Sequence, residues 1–434
     1  MLKRHSFPFH TNLFRGLRAL WVRLPKSVRH EFWTLAGTRW QSTYARARIA
    51  KPAARREANP TDPIVVAGLF STANGIGEGA RNTYRALKAA GLDPIAVDLS
   101  EPFAPIDVKT DILCQQMPDS EQGTLILQLN GPETMSALQH LGMEFERNWF
   151  TIGYWAWELP VFPAQWDDAF PYLSEIWTIS EFSASAIKQH PKAPPVEVFG
   201  HAISTPTKLH QSRQKFGWKD QEFVFLTMAD SMSSLERKNP FSAIRAFKSA
   251  FAHDPRYRLV VKTRNLNRHA LARDDLNAAI GDNPNIQLFD ESLSEEDIWL
   301  LINSADAFVS LHRSEGFGLV LAEAMALGKP VICTDWSGNM DFTTNDTAAL
   351  VASTLVNCKD KYGVYRDLNT KWAHADEQMA AELMKKVSGN KEFRTNLAAR
   401  AKERIVEVAD VRKIGAQMSD RLSLLASARF APDI

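Results

Sequence analysis

The stretch from Leu311 to Asp341, LHRSEGFGLVLAEAMALGKPVICTDWSGNMD, constrains the fold more than any other part of the chain. An apolar run, Ala305 to Leu311, reads as a strand that leads into it. A glycine-flanked turn follows, Gly316-Phe317-Gly318, then a helical run from Leu319 to Leu327. Gly328 occupies the position of a helix C′ glycine, and Pro330 blocks continuation. Val331 to Cys333 reads as the next parallel strand. The unit is therefore strand, loop, helix, strand, with a loop suited to a ligand. Glycines at 316 and 318 allow close backbone approach. The free N–H groups at the helix start favour an anion such as phosphate. Glu315 and Glu323 bracket that point and can accept hydrogen bonds from hydroxyls. Hydroxyls plus a diphosphate describe a nucleotide sugar.

Strand and helix signals alternate over most of the chain, which indicates parallel doubly wound sheets. Ile64 to Leu69, Pro94 to Leu99, Leu125 to Leu129, Phe150 to Tyr154, Ile176 to Ile179 and Val196 to Phe199 read as strands of a first set. A polar connector, Ser204 to Gln214, follows. The second set comprises Phe223 to Met228, Tyr257 to Lys262, Ile286 to Phe289 and the strands of the key segment. After Val351 the pattern is irregular, and the chain closes in helices near 375–387, 391–408 and 411–426. At 434 residues two domains are the natural expectation. The boundaries expected are a basic arm over 1–58, a first domain over 59–205, a second over 206–410, and a last helix over 411–434 free to return to the first domain.

Composition narrows the function classes. The chain is 45% hydrophobic and 23% charged, as expected of a globular protein. Three widely spaced cysteines, Cys114, Cys333 and Cys358, form no C-x-x-C pair and suggest neither zinc nor a disulfide framework. No apolar run reaches the roughly 18 residues that read as a membrane span, and no signal peptide is read at the N-terminus. A reducing, cytoplasmic setting is expected. The net charge of +1 conceals an asymmetry, since residues 1–57 hold 13 Lys and Arg against 2 Asp and Glu. Phe14, Leu17, Leu20, Trp21 and Leu24 fall there at near-helical spacing, with Arg15, Arg18 and Arg23 between them. An interfacial helix on an anionic membrane fits that pattern. A helix packed on the body and an unstructured basic tail fit it as well. No nucleic-acid motif accompanies the arm, so nucleic acid is not an expected partner.

Glu315-Gly-Phe-Gly-x4-Glu323, followed by Gly328-Lys329-Pro330-Val331 and the Ser337-Gly338 loop, resembles the donor signature of the family 4 retaining glycosyltransferases. The resemblance implies an α/β, GT-B architecture, in which two Rossmann-like doubly wound parallel-sheet domains face a cleft. It implies that Glu315 contacts the transferred sugar. Backbone N–H groups of Gly316, Phe317 and Gly318 would bind its hydroxyls, those of Leu319 and Val320 the diphosphate, and Glu323 the ribose. Lys238 in Glu236-Arg237-Lys238-Asn239-Pro240 matches the family's lysine. The family's arginine some residues earlier is missing, and Arg237 is the substitute. Both cations are expected near the start of a helix opened by Asn239 and Pro240, where they would offset leaving-group charge. Lys262, at a strand end, is a further basic donor-site residue.

In the first domain, Asn74-Gly75-Ile76-Gly77-Glu78-Gly79 follows a strand and opens a helix, and resembles the family's loop over the donor phosphates. Its glycines miss the dinucleotide spacing G-x-G-x-x-G by one position. Tyr154-Trp155-Ala156-Trp157-Glu158-Leu159-Pro160 resembles a W-x-W-E-L segment of a polysaccharide-building subset. The family's first-domain histidine is absent, since no histidine lies between His140 and His190, and Glu158 is the replacement catalytic group. The rings of Trp155 and Trp157 either stack on an acceptor sugar or pack as core. His201 matches a position that supports the cleft. No Asp-x-Asp occurs, so a metal-independent site with no cofactor beyond the co-substrate is expected.

The activity implied is transfer of a hexosyl group, mannosyl being one option, from a nucleotide diphosphate sugar to a hydroxyl of a glycan or lipid-linked glycan. Two other readings stay open. One is a different GT-B enzyme, such as a nucleotide-sugar epimerase or a phosphorylase. The other is a catalytically silent sugar-binding or scaffold protein.

Overall fold

The computed structural model describes residues 58–142, 148–206, 208–365 and 368–427. The basic arm, and with it the proposed interfacial helix, lies outside the described residues. Strands β1 (Ile64–Gly68), β2 (Ile95–Asp98), β3 (Gln122–Gln128), β4 (Asn148–Trp155), β5 (Glu175–Thr178) and β6 (Val196–Val198) form one sheet in the order β2-β1-β3-β4-β5-β6. Every pairing in it is parallel. Helices α1 (Gly75–Ala89), α2 (Ser100–Phe103), α3 (Gly131–His140) and α4 (Glu181–Lys188) fill crossovers of this lobe.

The second sheet comprises β7 (Phe223–Asp230), β8 (Tyr257–Arg264), β9 (Ile286–Asp290), β10 (Ala307–Ser310), β11 (Val331–Thr334) and β12 (Ala349–Val351), in the order β12-β11-β10-β7-β8-β9. It too is wholly parallel. Its connections carry α5 (Leu235–Lys238), α6 (Pro240–Phe251), α7 (Ala270–Ile280), α8 (Glu295–Ser304) and α9 (Leu319–Ala326). Central strands such as β3 and β10 are buried along nearly their whole length. That is why they read as continuous apolar runs rather than alternating ones.

The stretch after Val351, irregular by sequence pattern, pairs as an antiparallel hairpin. Strand β13 (Ser353–Asn357) lies against β14 (Lys371–Ala375). Helices α10 (Glu377–Gly389), α11 (Lys391–Ala409) and α12 (Val411–Ser427) follow. The chain crosses between lobes twice, and the two crossings run side by side, with Ile203 N–H donating to Ala409 O at 2.8 Å. Helix α12 then lies on α1 of the first lobe. The approach is so close that a Cβ on Gly415 would stand 1.9 Å from the carbonyl oxygen of Ala86. Arg421 on α12 makes two 3.0 Å hydrogen bonds to the Glu175 carboxylate of β5.

Candidate donor-binding site at the lobe interface

The C-terminal end of β10 delivers His312, Arg313, Ser314 and Glu315 to the boundary between the lobes. His312 is buried, which lowers its pKa. It is fixed by Ser310 Oγ at 3.0 Å, Trp336 O at 3.2 Å and Asn339 Oδ1 at 3.0 Å. The turn that follows is braced from behind by the Ser337-Gly338 loop. Ser337 Oγ accepts from Glu315 N–H at 2.8 Å, and Gly338 N–H donates to Glu315 O at 2.9 Å. Position 338 must be glycine, because a Cβ there would stand 2.0 Å from Gly316 O. Gly318 caps α9 with φ of +94°, so the helix starts abruptly beneath the turn. The N–H groups of Leu319, Val320 and Leu321 lie in its open first turn.

Glu315 is 5% exposed and carries two ion pairs. Lys238 Nζ donates to Oε1 at 2.7 Å, and Arg237 Nη1 donates to Oε2 at 2.9 Å and to Ser314 O at 2.8 Å. Burial alone would raise this carboxyl, but the charges of Lys238 and Arg237 outweigh it and hold the pKa down to about 2. The two cations stand just before the helix that Asn239 caps and Pro240 opens, as the sequence pattern suggests. They sit in their own short helix, α5, one turn before the helix that Pro240 opens. Ser234 at φ +65° enters α5 and Asn239 at φ +51° leaves it. With Ser337 at +79°, three non-glycine residues in the left-handed region surround one carboxylate. Arg237 is turned inward. It is 3% exposed, and its Nε has no hydrogen-bond partner. Lys238 keeps 23% of its side chain exposed and is the cation of the pair with access to a ligand.

Glu158 comes from the other lobe, at the cleft end of β4, and meets this cluster directly. Its Oε1 is 3.8 Å from Arg237 Nη2, and its backbone oxygen accepts from Ser314 Oγ. It lies beside the Gly316–Gly318 turn, where a Cβ on Gly316 would be in ordinary contact with Glu158 Cγ at 3.5 Å. Tyr365, from the stretch after Val351 whose sequence pattern is irregular, donates its hydroxyl to Glu158 Oε2 at 3.2 Å. No local signal could have paired them, because they are 207 residues apart.

Phe317 is buried at the lobe junction against Phe342 and edge-on to His201, whose ring centroid is 5.2 Å away. Burial pushes the His201 pKa down to about 4, so the ring is neutral near pH 7. Gly75 and Gly77 lie in the first turn of α1. A Cβ at 77 would stand 2.3 Å from Thr72 O, whereas Gly75 faces open space. Asn74 caps this helix by accepting from Gly77 N–H at 2.8 Å.

Glu323, on α9, is half-buried. Desolvation, then the charges of Glu78 on α1 and Glu295 on α8, raise its pKa well above the usual carboxylate range. Arg85 lies within 4 Å of both Glu78 and Glu295, and so ties the two lobes at this edge.

Lys262 does not join the Glu315 cluster. Its ammonium donates to Thr263 O at 2.6 Å and Glu291 O at 2.5 Å, and burial lowers its pKa to about 8. Of the two readings of Trp155 and Trp157, core packing is the one the structure shows. Trp155 is fully buried among Phe162, Trp166 and Phe170, and Trp157 packs on Trp166 and Tyr365. They belong to the core.

Residues 210–360 match the family model described as Glycosyl transferases group 1. That stretch contains Arg237, Lys238, Glu315 and Glu323, whereas Glu158 and Tyr365 lie outside it. Several solved structures share the architecture across both lobes. Anabaena HepE, in complex with UDP and glucose, aligns with a TM-score of 0.58 at 14% identity, covering 83% of this chain and 99% of that one. Sucrose-phosphate synthase from Thermosynechococcus elongatus aligns with a TM-score of 0.59 at 15% identity, covering 85% and 100%. A glycosyltransferase from Rickettsia africae gives 0.57 at 13% identity, covering 84% and 98%. No curated protein sequence matches the chain. The fold is therefore GT-B, with two six-stranded parallel sheets facing one another.

Proposed function

We propose that the protein is a glycosyltransferase that takes a hexosyl group from a nucleotide diphosphate sugar and attaches it, with retention of anomeric configuration, to a hydroxyl of a glycan or lipid-linked glycan. The observation that carries this reading is the Lys238–Glu315–Arg237 cluster beside the open start of α9. Lys238 and the first N–H groups of α9 suit the diphosphate, and their positive potential meets the charge that grows on the leaving oxygen. Glu315, locked as a carboxylate, suits the sugar hydroxyls. Arg237 fixes Glu315 rather than reaching phosphate. Helix start and ammonium together supply the charge a divalent ion would otherwise bring, so transfer proceeds without a metal.

Glu158 serves as the first lobe's catalytic group, accepting a hydrogen bond from the transferred sugar. Glu323 serves the ribose. Gly75 and Gly77 open the first-lobe loop toward the donor. The acceptor enters from the first-lobe side, and the basic arm over 1–58 brings the enzyme to an anionic, cytoplasmic membrane face when the acceptor is lipid-linked.

Acceptor-dependent release of nucleoside diphosphate from a panel of UDP-, GDP- and dTDP-hexoses, with the anomer of the product read by NMR, tests this directly. Release with a retained anomer supports the reading. Epimerised donor, phosphate-dependent cleavage or no turnover with any donor contradicts it.

A further inference from the structure

We propose that Tyr365 is a positioning residue of the transfer site, holding the Glu158 carboxylate of the opposite lobe against the donor turn. The inference rests on the functional reading above and adds a residue to it. Tyr365 lies in the loop between β13 and β14, which form a two-stranded sheet separate from the parallel sheet of the second lobe. Its hydroxyl nevertheless crosses the lobe boundary to Glu158 Oε2 at 3.2 Å.

The hairpin is built to keep it there. Asp360 is buried and accepts from the N–H groups of Tyr362 at 3.0 Å, Val364 at 2.8 Å and Tyr365 at 3.1 Å, so the turn before Tyr365 is tightly wound. The Tyr365 ring packs edge-on against Trp157 of the first lobe and Trp372 of β14. Trp372 shares one apolar cluster with Trp155, Phe162 and Phe170. The second lobe thus inserts a strap into the aromatic core of the first.

Glu158 is a first-lobe residue whose surroundings come from the second. Ser314, Gly316, Arg237 and Tyr365 all reach it from there. Arg237 Nη2 stands 3.8 Å away, beyond hydrogen-bond distance, so among the described residues the Tyr365 hydroxyl is the donor that orients the carboxylate. Burial, then the neighbouring Glu158 charge, keep the phenol protonated and therefore donating. A carboxylate loosened from such a partner samples other rotamers, and displacements of about 1 Å near reacting atoms can cost on the order of 10²-fold in rate.

Tyr365→Phe keeps the ring packing and removes only the hydroxyl. It is expected to lower kcat about tenfold or more while the donor KM stays within about twofold. Paired with Glu158→Gln, the double variant should be little slower than the slower single variant. In parallel, amide hydrogen exchange needs no turnover. The segment Trp157 to Leu159 should exchange several-fold faster in Tyr365→Phe, with β3 and β10 unchanged. Wild-type kcat, or rate losses that multiply in the double variant, would overturn the proposal while leaving the transferase reading intact. If the wild type itself transfers no sugar, the reading fails instead, and unchanged exchange at 157–159 would then separately overturn the positioning role.

Discussion

Lys238 Nζ and Glu315 Oε1 stand 2.7 Å apart at the mouth of α9, and the buried Arg237 holds the other oxygen of the same carboxylate. The pair separates two tasks. Glu315 is locked in place and cannot take up a proton near neutrality, while Lys238 retains the exposure needed to meet an anionic ligand. A donor diphosphate arriving at the helix start would find one cation free to turn toward it and one that cannot.

Glu315→Gln should therefore cost stability as well as rate. The substitution leaves the Arg237 charge buried with only Glu158, at 3.8 Å, to offset it. Breaking a buried pair in this way typically costs about 3–5 kcal/mol. Chemical denaturation should show that loss, and adding Arg237→Met should recover part of it. Equal stability of wild type and Glu315→Gln would mean that the pair contributes nothing to the folded state. Because the folded-state pKa of Glu315 is held below its ordinary value of 4.5, at about 2, its contribution is complete above about pH 4.5 and disappears as pH falls through about 2.

Gly338→Ala should disable the site without touching a polar group. Its Cβ would have to share space with Gly316 O at 2.0 Å, so either the donor turn or the Ser337 loop must move. The expected result is loss of nucleotide binding by at least about tenfold, by the reasoning that a misplaced first contact layer costs on that order. Calorimetric titration with a nucleoside diphosphate measures it, and unaltered affinity would show that the loop does not brace the turn.

Glu133 gives a pH prediction away from the site. Burial raises its pKa from 4.5 to about 7. The folded state therefore binds more protons than the unfolded state between those values, so this group lowers stability as pH rises from about 4.5 to about 7. Glu133→Gln removes the penalty. At about pH 8 it should be more stable than the wild type by about 1–3 kcal/mol, with the difference vanishing below about pH 4. Parallel denaturation curves at the two pH values decide it, and a gain equal at both would point to packing rather than ionisation.

The donor loop was legible because its signals are local. Glycines at 316, 318 and 328 and Pro330 punctuate a strand and a helix in a pattern that short-range sterics impose. The two sheets were legible for a similar reason, since strands buried on both faces must be apolar throughout. What escaped depends on tertiary approach. The inward turn of Arg237 accompanies Ser234 and Asn239 in left-handed conformations, which residues other than glycine announce only weakly. Trp155 and Trp157 are the same residues whether they line a groove or fill a core, and the packing of Phe162, Trp166 and Phe170, with Tyr365 from the second lobe, decides between the two. The β13–β14 hairpin left a faint trace because no residue of β13 is fully buried. Tyr365 meets Glu158 across a separation that no window spans.

The most direct test of the central claim is titration of UDP, GDP and dTDP into the wild type and into Lys238→Ala. The account predicts that at least one nucleoside diphosphate binds the wild type. It also predicts at least about tenfold weaker binding by Lys238→Ala, from loss of a charge-assisted contact, measured at a temperature where circular dichroism shows both proteins folded. Binding of equal strength by both proteins, or by neither, would contradict it.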